Sequence, residues 1–148
     1  MRRGILLCLL SAVPAVCPAQ WVQTNGPLGG YVASLAVSGT TVFAGVNRGV
    51  YRSTDNGVSW SAVNSGLGSS FVRALAVSGS RLFAGFDGAG VFLSTDNGTS
   101  WNAVNTGLPN VRVLSVVASG TFLFAGTYGG GSFSPPTMER AGMRSITA

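Results

Sequence analysis

Apolar and polar positions repeat along this chain with a period of about 40 residues. The stretch LAVSG begins at Leu35 and again at Leu75, and FAG begins at Phe43, Phe83 and Phe124. Within each unit, short runs of Val, Leu, Phe and Ala are separated by Gly, Asn, Asp and Ser, which predicts short β-strands. No window has the apolar spacing of an amphipathic helix. In the second unit the pattern predicts strands at 71–78, 81–86, 90–95 and 99–105.

Four short strands in each unit of about 40 residues indicate the blades of a β-propeller. The repeat region covers 20–134, and its blades are predicted at roughly 31–64, 71–105 and 111–134. Closed propellers have about four to eight blades. The sequence therefore predicts an all-β fold, a partial β-propeller of about three four-stranded antiparallel blades in an open arc. Both ends of such an arc present apolar faces and unpaired strand edges, so we expect self-association.

The segment before the first blade fits the same register. Trp21 aligns with Trp60 and Trp101, each of which precedes a predicted outer strand. We therefore predict that Gln20–Asn25 is an orphan outer strand. In a closed propeller such a strand often completes the last blade and joins the two ends of the ring.

Two octapeptides are the most specific motif of the repeat: STDNGVSW at Ser53–Trp60 and STDNGTSW at Ser94–Trp101. Each contains Asn-Gly, which favours a tight hairpin turn because both central positions need positive φ. The Asp and Ser before the turn can accept backbone N–H bonds, and the Trp after it is expected to anchor the hairpin in the core of its own blade. The predicted structural residues are Ser53, Asp55, Gly57, Trp60, Ser94, Asp96, Gly98 and Trp101.

Both octapeptides match Ser-x-Asp-x-Gly-x-x-Trp, and this pattern resembles the Asp-box, or BNR-type repeat. The repeat occurs in bacterial sialidases, in sortilin-like receptors and in propellers like the photosystem II stability/assembly factor. The resemblance covers Trp21 to about Phe133. It implies a propeller, and the receptor and assembly-factor members imply a non-catalytic module that binds a protein or glycan ligand.

The sialidase members imply an enzyme instead, with an arginine triad, a Tyr nucleophile paired with Glu, and an Asp acid/base. In this chain the single Glu is Glu139 in the tail, and Asp55, Asp87 and Asp96 all fall in predicted turns. No carboxylate pair is left for glycoside hydrolysis. We therefore predict no enzymatic activity and no catalytic residue. A degenerate glycosidase propeller and a truncated product without independent function stay open as alternatives.

The first 19 residues have the pattern of a cleaved secretory signal peptide: MRR, then a short apolar run, then CPA before a cleavage site after Ala19. We therefore expect a secreted or periplasmic protein. Cys8 and Cys17 both lie in this segment, so the mature chain has no Cys, and the sequence has no His and no Lys. Disulfides, most metal sites and most general bases are thereby excluded, and no metal or cofactor is predicted.

The formal net charge of +5 does not indicate nucleic-acid binding. Arg2 and Arg3 leave with the signal peptide, and the other arginines are scattered singly rather than clustered as a nucleic-acid interface requires. No apolar run after Gln20 approaches the roughly 18 residues of a membrane-spanning helix.

One polar feature is a candidate binding site. Arg73 and Arg112 each follow a valine at the start of successive predicted inner strands, where the first unit has Ala33. Inner-strand ends line the mouth of a propeller, so the two arginines are candidates for binding an anion. The alternative is that they are two solvated surface groups.

The third octapeptide is missing, and the tail Pro135–Ala148 stands in its place. A permitted coding of STDNGTSWNAVN followed by AAC GGC yields PPTMERAGMRSITA, without a mismatch, when it is read one base later. We therefore predict a one-base frameshift near Ser134, a third blade that ends near Phe133, and a non-repeat tail at 135–148 that is disordered or loosely packed. On this prediction the chain is a fragment of a longer propeller protein.

Overall fold

The repeat forms antiparallel sheets in the computed structural model, which describes residues 23–27, 30–108, 112–120, 122–129, 131–133, 137–138 and 143–144. The first sheet consists of β1 (Val32–Ser38), β2 (Thr41–Val46), β3 (Gly49–Ser53) and β4 (Ser61–Ala62). The second consists of β5 (Val72–Ser78), β6 (Arg81–Phe86), β7 (Gly90–Ser94) and β8 (Asn102–Ala103). The third consists of β9 (Val113–Ser119), β10 (Phe122–Thr127) and β11 (Gly131–Phe133).

Each sheet keeps its strands in chain order, as propeller blades do. The described residues contain strands, turns and bends, with no helix among them. The prediction of an all-β partial propeller is therefore confirmed. We call the three sheets the first, second and third blade.

The blades pack face to face through their inner strands, since β1 lies against β5 and β5 lies against β9. The second blade is covered on both faces, so its inner strand is buried from both sides, which explains the nearly continuous apolar run in LAV. Between the first two blades the buried side chains are Phe43, Val50, Val63, Val72, Leu75, Leu82, Ala84, Phe86 and Trp101. Between the second and third they are Ala74, Phe83, Val91, Val113, Val116, Leu123 and Ala125.

The glycine of FAG allows this close packing. A Cβ at Gly45 would lie 2.6 Å from Cγ1 of Val72, and a Cβ at Gly85 would lie 2.7 Å from Cγ1 of Val113. Both distances are too short for a real contact. The sequence therefore keeps this position free of a side chain so that the next blade's inner strand can approach.

Each inner strand carries an irregularity in the same place. Val32, Val72 and Val113 pair with the ends of β2, β6 and β10, and the register shifts at the following residue. That residue is Arg73 in the second blade and Leu114 in the third. Arg112 therefore corresponds to Phe71, one residue before the equivalent valine, and not to Arg73. The sequence alignment that paired the two arginines was wrong here because it placed a gap where the strands have none.

The described part of the tail does not extend the third blade. Thr137–Met138 (β12) pairs antiparallel with Met143–Arg144 (β13) in a separate two-stranded sheet. The tail is predicted to be disordered or loosely packed, and its described residues form a ladder of two residue pairs, which needs neither the Asn-Gly turn nor the Trp that the tail lacks. Among the described residues the third sheet has three strands and ends at Phe133.

Residues 23–25, the described part of the predicted outer strand 20–25, form no strand. The physical reason is that no sheet of the described residues lies beside them to pair with. They nevertheless occupy the place that the register predicts. Thr24 lies 3.3 Å from the Cβ position of Gly57, as Val63 lies 3.1 Å from that of Gly98. Asn25 also donates a hydrogen bond to the Val58 carbonyl at 3.3 Å.

Candidate functional site

The first octapeptide builds a closed network of hydrogen bonds around its turn. Asn56 and Gly57 have φ of 57° and 88°, the positive values that the turn requires. The Ser53 hydroxyl accepts a hydrogen bond from the Gly57 N–H at 2.8 Å and donates one to Oδ1 of Asp55 at 2.8 Å. Oδ1 of Asp55 also accepts from the Ser59 backbone N–H at 2.9 Å, and Oδ2 accepts from the Ser59 hydroxyl at 2.5 Å.

The second octapeptide repeats the same network. Ser94 accepts from the Gly98 N–H at 2.8 Å, and Asp96 accepts from the Ser100 N–H at 2.9 Å and from its hydroxyl at 2.6 Å. Ser59 donates hydrogen bonds to Asp55, and Ser100 donates them to Asp96, in each case through the hydroxyl and the backbone N–H. These hydrogen bonds lower the pKa of both carboxyl groups to about 2. Both carboxylates are thus ionised, and their oxygens accept hydrogen bonds within the turn.

The tryptophans differ from the expected packing. Trp101 was predicted to anchor its hairpin within its own blade, but its indole Nε1 donates to the Val63 carbonyl of the first blade at 2.8 Å. Its backbone N–H also donates to the Ser65 carbonyl at 2.9 Å. Trp101 is buried between two blades, whereas Trp60 is half-buried and donates to Gly57 of its own turn at 3.1 Å. The reason is that the turn of each octapeptide lies against the preceding blade. Trp101 has the first blade there, whereas the described residues before the first blade form no sheet that could cover Trp60.

Arg73 and Arg112 meet at a shared carboxylate. Arg73 donates through Nε and Nη2 to Oδ2 of Asp87, at 3.2 and 2.7 Å, and Arg112 pairs through Nε with Oδ1 at 2.5 Å. We call Arg73, Asp87 and Arg112 the arginine–aspartate cluster. The sequence placed the two arginines at the starts of successive inner strands as candidates for an anion site, but it assigned Asp87 only to a turn and missed the carboxylate between them.

The backbone explains how three separate elements reach one point. Asp87 lies in the turn from β6 to β7, at the same end of the sheet as the start of β5, and its N–H donates to the Phe71 carbonyl at 2.9 Å. An isolated bridge pairs Asp87 with Arg112 at the start of β9. Arg73 sits at the register shift of β5, and such bulges redirect side chains. The signal in the sequence was the Asp-Gly turn itself, since its position in the repeat fixes the end of the blade at which Asp87 lies.

Aromatic rings flank the arginine–aspartate cluster. The Arg73 guanidinium carbon lies 4.5 Å from the centre of the Phe71 ring, and that of Arg112 lies 5.4 Å from the centre of the Tyr128 ring. Tyr31 of the first blade continues the row, with its ring 5.8 Å from that of Phe71. These rings favour the charged, flat guanidinium groups beside them.

The electrostatic balance of the arginine–aspartate cluster is positive. The hydrogen bond from Arg73, together with the charge of Arg112, lowers the pKa of Asp87 below its ordinary value of 3.8. Asp87 is therefore ionised at neutral pH. Two guanidinium groups against one carboxylate leave one net positive charge, and both arginines are substantially exposed to solvent.

A family model of the DUF6242 beta propeller domain matches residues 14–122. The chain belongs to this family. No curated protein matches it.

Solved structures show the same fold as this DUF6242 propeller. YCF48 bound to D1 peptide is 17% identical with a TM-score of 0.59, over 70% of this chain and 36% of that one. An ancestral GH74 enzyme is 20% identical with a TM-score of 0.61, over 74% of this chain and 18% of that one. PorZ, an essential bacterial surface component of the type-IX secretion system of Porphyromonas gingivalis, is 18% identical with a TM-score of 0.56, over 72% and 17%. At such identities the likeness shows the fold alone, and this chain spans only 17–36% of those proteins' lengths.

Two further features of the DUF6242 propeller bear on its chemistry. Within the described residues, no three side chains of Asp, Glu, His or Cys come together as metal ligands would. That same part of the chain contains no helix with the length and hydrophobicity to cross a membrane.

Proposed function

We propose that this DUF6242 propeller is a non-catalytic binding module that holds an anionic group of a protein or glycan ligand at the arginine–aspartate cluster. The observation that carries the proposal is the convergence of Arg73 and Arg112 on Asp87. Asp87 fixes both guanidinium groups in place, and their net positive charge is left for a carboxylate or similar anion. The flanking rings of Phe71 and Tyr128 offer apolar contact beside that charge.

The state of the carboxylates supports a non-catalytic role. A carboxyl group that donates a proton in catalysis needs a raised pKa. The pKa values of Asp55, Asp87 and Asp96 are all lowered. Each of the three is also engaged by hydrogen bonds or ion pairs that hold the surrounding backbone. The lowered pKa values argue against Asp55, Asp87 and Asp96 as general acids, and their hydrogen bonds and ion pairs support a role in structure and charge balance.

The proposal has three further parts. The two octapeptides are Asp-box turns of the BNR type, with an architectural role. The segment 1–19 is a signal peptide, so the module acts outside the cytoplasm. The chain is part of a longer propeller protein. A structural neighbour with this fold, YCF48, is described as bound to D1 peptide, which supports a peptide or protein as the ligand class.

Binding of a short oligoglutamate peptide tests the proposal, with an oligoglutamine peptide of equal length as the uncharged comparison. We expect the oligoglutamate to bind, with an affinity that falls as salt is raised, because the contact is electrostatic and partly exposed. Arg73→Gln and Arg112→Gln should each weaken binding by roughly tenfold, the loss expected for one charge-assisted hydrogen bond.

Arg81→Gln is the matched control, because Arg81 lies at the start of β6, the opposite end of the second blade from Asp87. It should leave the affinity unchanged. Equal binding of both peptides, or binding that neither Arg73→Gln nor Arg112→Gln weakens, would overturn the anion site. Thermal melting of each variant separates loss of binding from loss of fold.

A further inference from the structure

The sequence contains three Asn-Gly pairs, and in such a pair the asparagine side chain readily loses its amide, because glycine has no side chain to obstruct the reaction. The pairs are Asn25-Gly26, Asn56-Gly57 and Asn97-Gly98. In this deamidation the backbone nitrogen of the glycine gives up its proton and attacks Cγ of the asparagine. A C–N bond forms, the bond from Cγ to the amide nitrogen breaks, ammonia leaves, and water opens the resulting succinimide ring to aspartate or isoaspartate. The glycine N–H therefore controls the rate.

In the first octapeptide the glycine N–H is held in a buried hydrogen bond. Gly57 donates to the Ser53 hydroxyl oxygen at 2.8 Å, and both residues are buried although Asn56 itself is exposed. The hydroxyl is fixed in turn, since it donates to Oδ1 of Asp55 at 2.8 Å. A backbone N–H in such a bond loses its proton to solvent only when the turn opens locally. The exposed Asn56 is therefore paired with a nitrogen that rarely reacts.

In the second octapeptide the peptide group between Asn97 and Gly98 is held at both ends. The Gly98 N–H donates to the Ser94 hydroxyl oxygen at 2.8 Å, and the Asn97 carbonyl accepts from Nη1 of Arg52 in the first blade at 3.2 Å. The Cβ position of Gly98 also lies 3.1 Å from Cγ2 of Val63, so the first blade covers this glycine. Rotation of the peptide group toward the asparagine side chain would break both bonds.

The pair Asn25-Gly26 lacks this protection. Val22 stands three residues before Asn25, where each octapeptide has its serine. Within the described ranges the Gly26 N–H donates no hydrogen bond, and Asn25 is exposed. Its Nδ2 donates to the Val58 carbonyl at 3.3 Å, which is a single exposed contact made by the nitrogen that leaves. Conversion of Asn25 to a carboxylate would remove this contact with the first octapeptide.

We infer that the serine of each octapeptide protects its own Asn-Gly turn from deamidation, and that Asn25 is the member of the three pairs that deamidates. The protection preserves the turn, because asparagine and glycine supply its two positive φ values and isoaspartate would lengthen the backbone within it. The contacts set an order of rates. Asn25 reacts first, Asn56 is slower, and Asn97 is the slowest because Arg52 adds a second bond to its peptide group.

Incubation of the full chain at alkaline pH, followed by tandem mass spectrometry of its tryptic peptides, tests this order. Each pair falls in a peptide of its own, and these peptides end at Arg48, Arg73 and Arg112. Digestion at mildly acidic pH stops further reaction. We expect Asn25 to deamidate at least about tenfold faster than Asn97, because one hydrogen bond to be broken first already corresponds to a factor of this order.

Replacing the serines one at a time separates local protection from overall stability. Ser53→Ala should raise the rate at Asn56 by roughly tenfold and leave Asn97 unchanged, and Ser94→Ala should do the reverse. Thr54→Ala is the matched control, since Thr54 is exposed and its hydroxyl forms no hydrogen bond with any described residue. It should leave both rates as in wild type.

Hydrogen exchange of the Gly57 N–H, followed by NMR, gives a second readout. In Ser53→Ala it should quicken by the same factor as deamidation of Asn56, because both reactions remove the same proton. Equal rates at all three pairs in wild type would overturn the inference. So would a Ser53→Ala chain in which Asn56 and Asn97 speed up together, since the serine would then act through the stability of the whole fold.

Discussion

At the scale of single residues, the two octapeptides are equivalent in sequence and unequal in packing. Ser53 and Ser94 make the same bonds, and so do Asp55 and Asp96, because these contacts lie within each turn. Trp101 reaches the preceding blade, whereas among the described residues the turn of Trp60 lies beside the segment 23–27. An identical motif therefore stabilises its blade to different degrees according to its position in the arc.

This difference yields a prediction for the two tryptophans. Trp101→Ala should destabilise the fold by about 3–5 kcal/mol, the cost of removing a large side chain from a packed core. Trp60→Ala should cost clearly less, since Trp60 is only half-buried. Urea denaturation followed by circular dichroism measures both free energies of unfolding. Equal losses in the two variants would contradict packing of Trp101 between blades.

The turn carboxylates link stability to pH. Because the pKa of Asp55 and of Asp96 falls from 3.8 to about 2 in the folded chain, the unfolded chain takes up protons first as pH drops. Their stabilisation is therefore complete above about pH 4 and is lost as pH falls toward 2. The double variant Asp55→Asn, Asp96→Asn should be less stable than wild type at pH 7, and the two should converge near pH 2.

Urea midpoints measured at several pH values check this convergence. Asp87 retains a lowered pKa in the double variant, so a part of the slope should remain. Parallel pH profiles for wild type and variant would show that the two turn carboxylates do not titrate with folding.

For Asp87, the sequence predicted the turn but not the ion pairs. An Asp-Gly pair between two apolar runs predicts a turn, and Asp87 does lie in one. Its ion pairs depend on Arg73, which a register shift redirects, and on Arg112, which comes from the next blade. The Asp-Gly turn indicates the end of the blade at which Asp87 lies, but neither the shift nor the junction is visible in the local sequence, so the ion pairs of Asp87 could not be predicted.

At the scale of elements, the strands were predicted mainly from the period of the repeat. In the second blade the second strand coincides with its predicted range, Arg81–Phe86, because a nearly continuous apolar run between turn residues defines it. The fourth strand is shorter than predicted, Asn102–Ala103 instead of 99–105. The residues before it are occupied by the Asp96 network and by the bond from Trp101 to the first blade, which compete with strand pairing.

Among the described residues the third blade has three strands, and this leads to a prediction about the gene. If the tail is the third octapeptide read out of frame, the neighbouring frame of the coding DNA must contain STDNG, then Trp, then further blades. Sequencing from Ser134 onward checks this directly. Replacing 135–148 by the in-frame STDNGTSWNAVN should also add a fourth strand to the third sheet and raise its stability, because a paired edge replaces an open one. A neighbouring frame without the motif would rule out the frameshift.

At the scale of the whole molecule, the self-association expected of the two arc ends makes stability depend on concentration. Folding and association are then linked, since only the folded chain presents exposed apolar side chains such as Leu35 of the first blade and Val117 of the third, and mass action raises the melting temperature as the protein is concentrated. For a chain of this size a gain of 1 kcal/mol corresponds to about 2–8 °C, so a tenfold change in concentration gives a measurable shift. Differential scanning calorimetry of wild type should show this rise, whereas Leu35→Glu should melt at one temperature at all concentrations. If wild type also melts independently of concentration, these exposed side chains do not drive association, and a single copy is the stable unit.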